Sequence, residues 1–395
     1  MLNLSFYITV LLLSLNQFTS IYKSGETNIY LFDLSVAFFA LFGLFYFLLA
    51  KKSFKLPKFS ILFLLFSLSA LVSLLISIPK YSLEEIAVSS FYLFRWFIYL
   101  LSSIVLFNMI DKKLITKERV INTFIASGVL ISIIGFIQLI ILPDFRVLNP
   151  ELGWDPHKNR LSSSFFDPNF VGAYLVICLT LLFDRFYSKG LNKKIVLKKI
   201  DLIAFGIMLV ALFLTFSRSA WAMFAITILI YGLFKSKLLL VTAFIVAFMA
   251  YFATPRIQTR ISGFTDPADS ASLRVVSWKN TIEIIKDNLL FGVGFNTFRY
   301  VQKEYGFLTP ETLNIHSGSG SDSSILFVWA TTGVFGLLIY LSSLLFPVYE
   351  SVNKKHSGKL VILSIVSGLL LESSFINSLF YPQIVFITLS LLFIL

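Results

Sequence analysis

The sequence predicts an all-α polytopic membrane protein of about twelve transmembrane helices, with one large extracytoplasmic loop that is itself helical. Three observations carry this reading. Of the 395 residues, 57% are hydrophobic and 14% charged, and the mean hydropathy is +0.85. A soluble domain is nearer half apolar and a quarter charged, and a soluble fold could not bury this much apolar surface. The apolar residues also fall into twelve runs close to the length of a bilayer crossing, which takes about 20 residues. Finally, one long polar stretch, residues 254–323, separates the ninth run from the tenth.

The runs span residues 4–22, 29–50, 59–78, 86–107, 120–142, 170–186, 200–216, 220–234, 238–253, 324–346, 360–375 and 381–395. The first lacks a basic leader and a small-residue cleavage site, so it reads as a spanning helix rather than a removed signal. The seventh and eighth are separated only by Ser217, Arg218 and Ser219. One helix through both would hold Asp201 and Lys235 too far apart for a single crossing, so a hairpin with Arg218 at its tip is expected. The chain thus divides into residues 1–253 with nine helices, the loop 254–323, and residues 324–395 with three helices.

The net charge of +12 does not point to nucleic acid, because Lys and Arg concentrate in short loops between apolar runs. Placing alternate loops on alternate sides puts 51–58, 111–119, 185–199, 235–237 and 353–359 together, and all five are rich in Lys and Arg. By the positive-inside rule that side is cytoplasmic. Both termini are then cytoplasmic and the long loop lies outside. The single cysteine, Cys178, sits inside an apolar run, which excludes a disulfide framework and a cysteine metal cluster.

Candidate functional residues gather on the outer side. Asp33, Arg95, Gln138 and Glu372 fall in the outer halves of their helices. Charge in lipid is costly, so such residues face a bundle interior or a wet cavity. A polar cavity open to the outer leaflet is expected, with Arg95 as a substrate contact. Arg160 lies in NRLSSSFFDPNFVGAYL, where Asn169 stands near the start of a helix that the Asp-Pro-Asn segment can cap. Arg218 is the only charge between Asp201 and Lys235. It can snorkel to the interface, but a lysine would anchor as well. Arg274 opens LRVVSWKNTIEIIKDNLLFGVGFNTF, whose Val275, Trp278, Ile282 and Ile285 suggest one apolar helical face lying on the bilayer. His316 and Asp322 flank a Gly/Ser turn in NIHSGSGSDSS, where glycine permits close backbone approach to a ligand.

Arginine grips phosphate oxygens in pairs and keeps its charge at any physiological pH. Three arginines with a His/Asp pair at one membrane face therefore suit a lipid diphosphate. A base among them could activate an acceptor hydroxyl. The outer loops hold no DxD-type carboxylate pair or metal-ligand cluster, so a transfer without metal or other cofactor is expected, with arginines stabilising the departing diphosphate.

Four stretches in order, RLSSSFFDPNFVGAYL, LTFSRSAWAMFAI, LRVVSWKNTIEIIKDNLLFGVGFNTF and DSSILFVWATTGVFGLLIYL, resemble the O-antigen ligase and polymerase superfamily of bacterial envelope glycosyltransferases. The resemblance implies a fold of about twelve spans in the bacterial inner membrane, with a large outer loop late in the chain. It implies metal-independent, inverting transfer of an undecaprenyl-diphosphate-linked glycan to a lipid or glycan acceptor. Its functional arginines fall by motif on Arg218 and Arg274, with Arg160 as a third. The family's base position, counted back from Gly333, falls on Asp322, while His316 stands in a similar Gly-rich setting, so the base is open between them. Two other classes remain. A twelve-helix transporter would place its site at the midplane, often among repeats and broken helices, and its uptake would survive Arg218→Ala. An envelope scaffold would function without any of the three arginines.

Overall fold

A computed structural model of the chain describes residues 1–24, 27–50, 53–148, 157–188, 198–262, 270–308, 320–354 and 358–395; His316 lies outside the described residues. A helix occupies each of the twelve apolar runs. They are α1 (Leu2–Leu15), α2 (Leu31–Leu49), α3 (Ser60–Ser77), α4 (Leu83–Asp111), α5 (Lys117–Ile141), α6 (Pro168–Ser188), α7 (Lys199–Leu214), α8 (Arg218–Phe234) and α9 (Lys237–Ala253). The polar stretch holds α10 (Pro255–Ser262), α11 (Ser270–Asp287) and α12 (Phe298–Glu304), and the chain ends with α13 (Ser324–Asn353), α14 (Lys359–Glu372) and α15 (Pro382–Ile394). Seven helices among the described residues are long and apolar enough to cross a membrane. Arg218–Phe234, Lys237–Ala253 and Pro382–Ile394 are apolar but shorter.

The bundle is built by α3 against α13, α8 against α14, and α4 between α2 and α15. Helix α6 is apolar and buried on all sides, with every residue from Val171 to Leu182 inside, as a helix at the centre of a bundle must be. Helix α9 is its opposite: none of its residues is buried, and it meets the bundle only along one side, where Leu239 and Leu240 lie against α8 and the core.

The first run departs from its expected course. The α-helix stops at Leu15, passes through a 3-10 turn at Asn16–Thr19, and enters a small antiparallel hairpin, β1 (Ser20–Ser24) with β2 (Thr27–Tyr30). Asn16 takes a left-handed φ of 29°, a region that asparagine tolerates better than most residues. Polar Asn16 and Gln17 thus mark a real break that run length alone concealed.

A second break anchors the polar stretch inside the bundle. Helix α13 is interrupted at Gly333, with φ 70° and ψ −175°, and the turn after α11 lies against this gap. Val293 N donates to Ala330 O at 2.9 Å, Gly294 N to Thr331 O at 3.2 Å, and Val334 N to Leu289 O at 2.9 Å. Ser73 Oγ of α3 closes the joint, 2.6 Å from Phe291 O and 2.7 Å from Thr331 O. A broken helix is tolerated in a membrane protein when its freed backbone groups are satisfied in this way. A Cβ on Gly333 would stand 2.0 Å from Leu290 O, and one on Gly292 2.5 Å from the Thr331 carbonyl carbon. The two chains can cross this closely only because both positions are glycine.

Helix α11 divides the four apolar residues that were read as one face lying on the bilayer. Val275 and Ile282 are each 42% exposed, whereas Thr281 and Ile284 are fully buried and Ile285 nearly so. The packed face runs through Arg274, Ser277, Trp278, Thr281, Ile284 and Ile285. Its outer portion is polar because it meets other polar groups rather than lipid.

Candidate active site

The loop before α6 is held by an intramembrane side chain. Gln138 Oε1 of α5 accepts from Ser162 N at 2.9 Å and Ser163 N at 3.3 Å. Pro168 opens α6, and Asp167 Oδ1 accepts from Asn169 N at 2.7 Å, so Asp167 is the capping residue. That leaves the Asn169 side chain to reach across to α8. Its Oδ1 accepts from Ser217 Oγ at 2.9 Å and from Arg160 Nη2 at 3.2 Å, while Arg160 Nε donates to Thr215 O at 2.8 Å. Arg160, Asn169 and the α7–α8 turn are therefore one unit.

Arg218 is the first residue of α8. Its Nη1 donates to Arg260 O at 3.1 Å, and Arg260 Nη2 returns to Phe216 O at 3.2 Å. Arg256 lays its guanidinium 4.0 Å over the Phe216 ring and donates to Lys158 O at 2.7 Å. Phe216 has a positive φ of 48°, a strained conformation for a bulky residue of the kind that collects at functional sites. Arg256 and Arg260 were not read from the sequence. The available signal was PRIQTR directly after the ninth run, where two arginines four apart share a helix face.

Glu372 joins this turn to Arg274. It ends α14 with no exposed surface. Ser378 Oγ donates to its Oε2, its Oε1 has no hydrogen-bond partner among the described residues, and the Ser219 side chain and the Arg274 charge stand near it. On the same face of α11, Trp278 Nε1 donates to Asp322 O at 3.0 Å, Asp322 N donates to Ser277 Oγ at 3.0 Å, and Thr281 Oγ1 donates to Ser321 Oγ at 2.9 Å. One helix thus positions both Arg274 and Asp322.

Beyond Asp322 lies a cavity of about 290 Å³. Asp322, Asp167, Arg95, Arg299 and Asn296 line it together with aromatic rings. Of the residues predicted from sequence, Arg95 and Asp322 border this space. Arg160, Asn169, Arg218 and Arg274 are not lining residues; they form the polar shell beside it. Arg299, 8% exposed on α12, was missed. It stands directly after the quoted GVGFNTF, whose glycines have positive φ and aim the following turn at the cavity.

Arg95 is built into the wall by charge. Its Nε donates to Asp33 Oδ1 at 2.8 Å, its Nη2 pairs with Asp33 Oδ2, and Tyr99 OH donates to Asp33 Oδ1 at 2.7 Å. Removing one partner of a buried pair leaves an uncompensated charge and costs about 3–5 kcal/mol. Asp33→Asn is therefore expected to lower the thermal midpoint of the detergent-purified protein markedly, and Asp33→Leu with Arg95→Met to recover much of the loss. An Asp33→Asn protein as stable as its parent would show that the pair holds nothing together.

Two tyrosines near this end of the bundle, Tyr81 and Tyr305, are both pushed up to about 12 by burial and so stay protonated at neutral pH. Among the described residues no group of three or more His, Cys, Asp or Glu side chains converges as a metal site would require.

Residues 203–341 match the O-antigen ligase family model. The match supports the O-antigen ligase and polymerase superfamily, and with it a glycosyltransferase-type function in polysaccharide synthesis by a multi-pass membrane protein. The O-antigen ligase stretch runs from α7 into α13 and contains Arg218, Arg274 and Asp322. Arg95, Arg160 and Asn169 precede it, yet the fold joins Arg160 and Asn169 to its Ser217 and brings Arg95 to the cavity that Asp322 borders. No curated protein matches the chain.

Proposed function

We propose that the chain transfers a glycan from an undecaprenyl-diphosphate carrier to an acceptor hydroxyl at the outer face of the bacterial inner membrane. The carrying observation is the polar shell that hydrogen bonds make of Arg160, Asn169, Ser217 and Ser219 around Arg218, beside the helix that carries Arg274 and clamps Asp322 at the edge of the adjoining cavity. The arginines bind the diphosphate and neutralise the charge that grows on it, which is the largest task in such a transfer. The acceptor oxygen loses its proton to His316 or Asp322 and attacks the anomeric carbon opposite the diphosphate. The new C–O bond forms as the bond to phosphate breaks, the electron pair leaves with the diphosphate, and the configuration inverts. The arginines serve the charge-neutralising role, so the transfer needs no metal.

The test uses the purified full chain in proteoliposomes with a synthetic undecaprenyl-diphosphate-linked oligosaccharide and candidate acceptors, in the presence of EDTA. The expected result is glycan transfer with release of undecaprenyl diphosphate, lost in Arg218→Ala. Uptake of a solute into vesicles that persists in Arg218→Ala, without transfer, would replace this reading with a transporter.

A further inference from the structure

The turn that carries Arg218 contains a conformation that a bulky residue keeps only when something holds it. Phe216 has a φ of 48°, which strains a phenylalanine and persists only where its surroundings over-determine it. Two arginines of α10 supply that hold. Arg260 Nη2 donates to Phe216 O at 3.2 Å, and Arg256 places its guanidinium 4.0 Å from the centre of the Phe216 ring. One grips the backbone of the residue and the other its side chain. Arg218 Nη1 donates to Arg260 O at 3.1 Å, so Arg260 holds the turn twice, by its side chain at residue 216 and by its carbonyl at residue 218. Arg256 Nη2 donates to Lys158 O at 2.7 Å, two residues before Arg160, whose Nε donates to Thr215 O at 2.8 Å.

Apolar burial does not seat α10. No residue from Thr254 to Arg260 is buried, and α9 before it buries none. Within α9 only Leu239 packs against the core, at the end of that helix far from α10. Segments with so little buried apolar surface are weakly held, so polar contacts decide where α10 sits. An arginine at a membrane surface can snorkel outward to headgroups. These two reach inward instead, onto two carbonyls and a ring. Their contacts converge on the turn that carries Arg218 and on the loop that carries Arg160.

We propose that α10 is a clasp on the α7–α8 turn, and that Arg256 and Arg260 are positioning residues which place Arg218 for the charge that develops on the diphosphate. This role rests on the transfer reading above, since Arg218 has such a charge to meet only if a diphosphate departs. Loss of either α10 arginine leaves the Arg218 charge present but frees its turn. The leaving-group charge grows in the transition state, so a displaced guanidinium costs turnover more than donor binding. The Arg260 contact with Phe216 O is a single bond to one oxygen, which a lysine at 260 can also make. A lysine at 218 cannot replace a paired contact.

The experiment measures turnover and donor KM in proteoliposomes with the synthetic undecaprenyl-diphosphate-linked oligosaccharide, and backbone hydrogen exchange of residues 213–221 in the same full-length proteins. Arg260→Ala is expected to lower turnover about tenfold and to speed exchange in the turn about tenfold, the worth of one hydrogen bond to a charged group. Donor KM should change less than about threefold. Arg260→Lys should recover most of the turnover and of the protection. Asparagine tolerates the left-handed conformation, so in a Phe216→Asn background the further loss from Arg260→Ala should shrink below about threefold. If Phe216→Asn does not fold, the contrast between alanine and lysine at 260, repeated with Arg256→Ala, carries the test. Unchanged turnover and exchange in Arg260→Ala, or equal losses for alanine and lysine, would overturn the clasp. So would a loss wholly in KM, which would make Arg260 a donor contact. An inactive parent protein whose turn still exchanges faster in Arg260→Ala would keep the clasp and sink the transfer reading. Transfer untouched by Arg260→Ala would do the reverse.

Discussion

Arg218→Lys is expected to lose about 10- to 100-fold in transfer while the protein still inserts and folds. The magnitude follows from hydrogen bonds to a charged group, worth about 1.5–3 kcal/mol each, at about 1.4 kcal/mol per tenfold in rate. Arg218 Nη1 donates to Arg260 O at 3.1 Å, which ties the guanidinium to the segment after α9. A lysine ammonium is a compact point charge without that fork. It can serve the Arg260 carbonyl or a phosphate oxygen, but it cannot present a paired contact. Arg218 also opens α8, where the helix end favours anions, and lysine would keep that share. Transfer by the variant in proteoliposomes, with donor binding measured alongside, decides the matter. Full activity in Arg218→Lys would mean that the residue only anchors the turn at the interface.

How far the site was legible depends on which force placed each part. The apolar helices were readable because a membrane crossing imposes a length and a composition on a run, whatever the run packs against, and seven of them among the described residues meet both demands. Lipid and protein neighbours are both apolar, however, so hydropathy does not say which side of a helix faces inward. Hence the apolar face read along α11 divides: Val275 and Ile282 are exposed, while Ile285 packs inward with Arg274, Ser277 and Thr281 on the same side. The same blindness hid the hairpin after Asn16 and the break at Gly333, both made by local backbone conformation within apolar surroundings. Intramembrane polar residues carried better information, since each needs a partner. Arg95 does face the expected cavity. Gln138 instead holds the 162–163 backbone, and Glu372 sits behind the cavity against Ser219 and Ser378. Arg218 stood out as a lone charge in an apolar run, and Arg274 by the motif that it opens. Arg256, Arg260 and Arg299 did not, because they sit among other polar residues and only the fold brings them to the site.

The remaining assignment is the base, and it separates by two substitutions. Asp322 is clamped at both backbone ends by α11, its N–H on Ser277 Oγ and its carbonyl under Trp278 Nε1, and it borders the cavity. Asp322→Asn therefore changes chemistry without releasing the segment. His316, earlier in the same Gly/Ser turn, lies outside the described residues, and its claim rests on chemistry: an unperturbed imidazole titrates near about 6.5 and suits base work at neutral pH. His316→Ala is expected to lower transfer by about 10²–10⁴-fold, the usual contribution of a general base, with donor binding kept because that depends on the arginines. Asp322→Asn should act more mildly, since its amide oxygen still accepts a hydrogen bond and can orient the acceptor. The pH profile gives an independent check. Only neutral imidazole takes a proton, so transfer through His316 should rise as pH passes upward through about 6.5, whereas a carboxylate base is already ionised across that range and would give a flat profile. A near-normal His316→Ala protein beside an inactive Asp322→Asn protein, with a flat profile, would make Asp322 the base. Activity in both would mean that the acceptor oxygen is deprotonated by another group, leaving diphosphate stabilisation by the arginines as the part of the mechanism that stands.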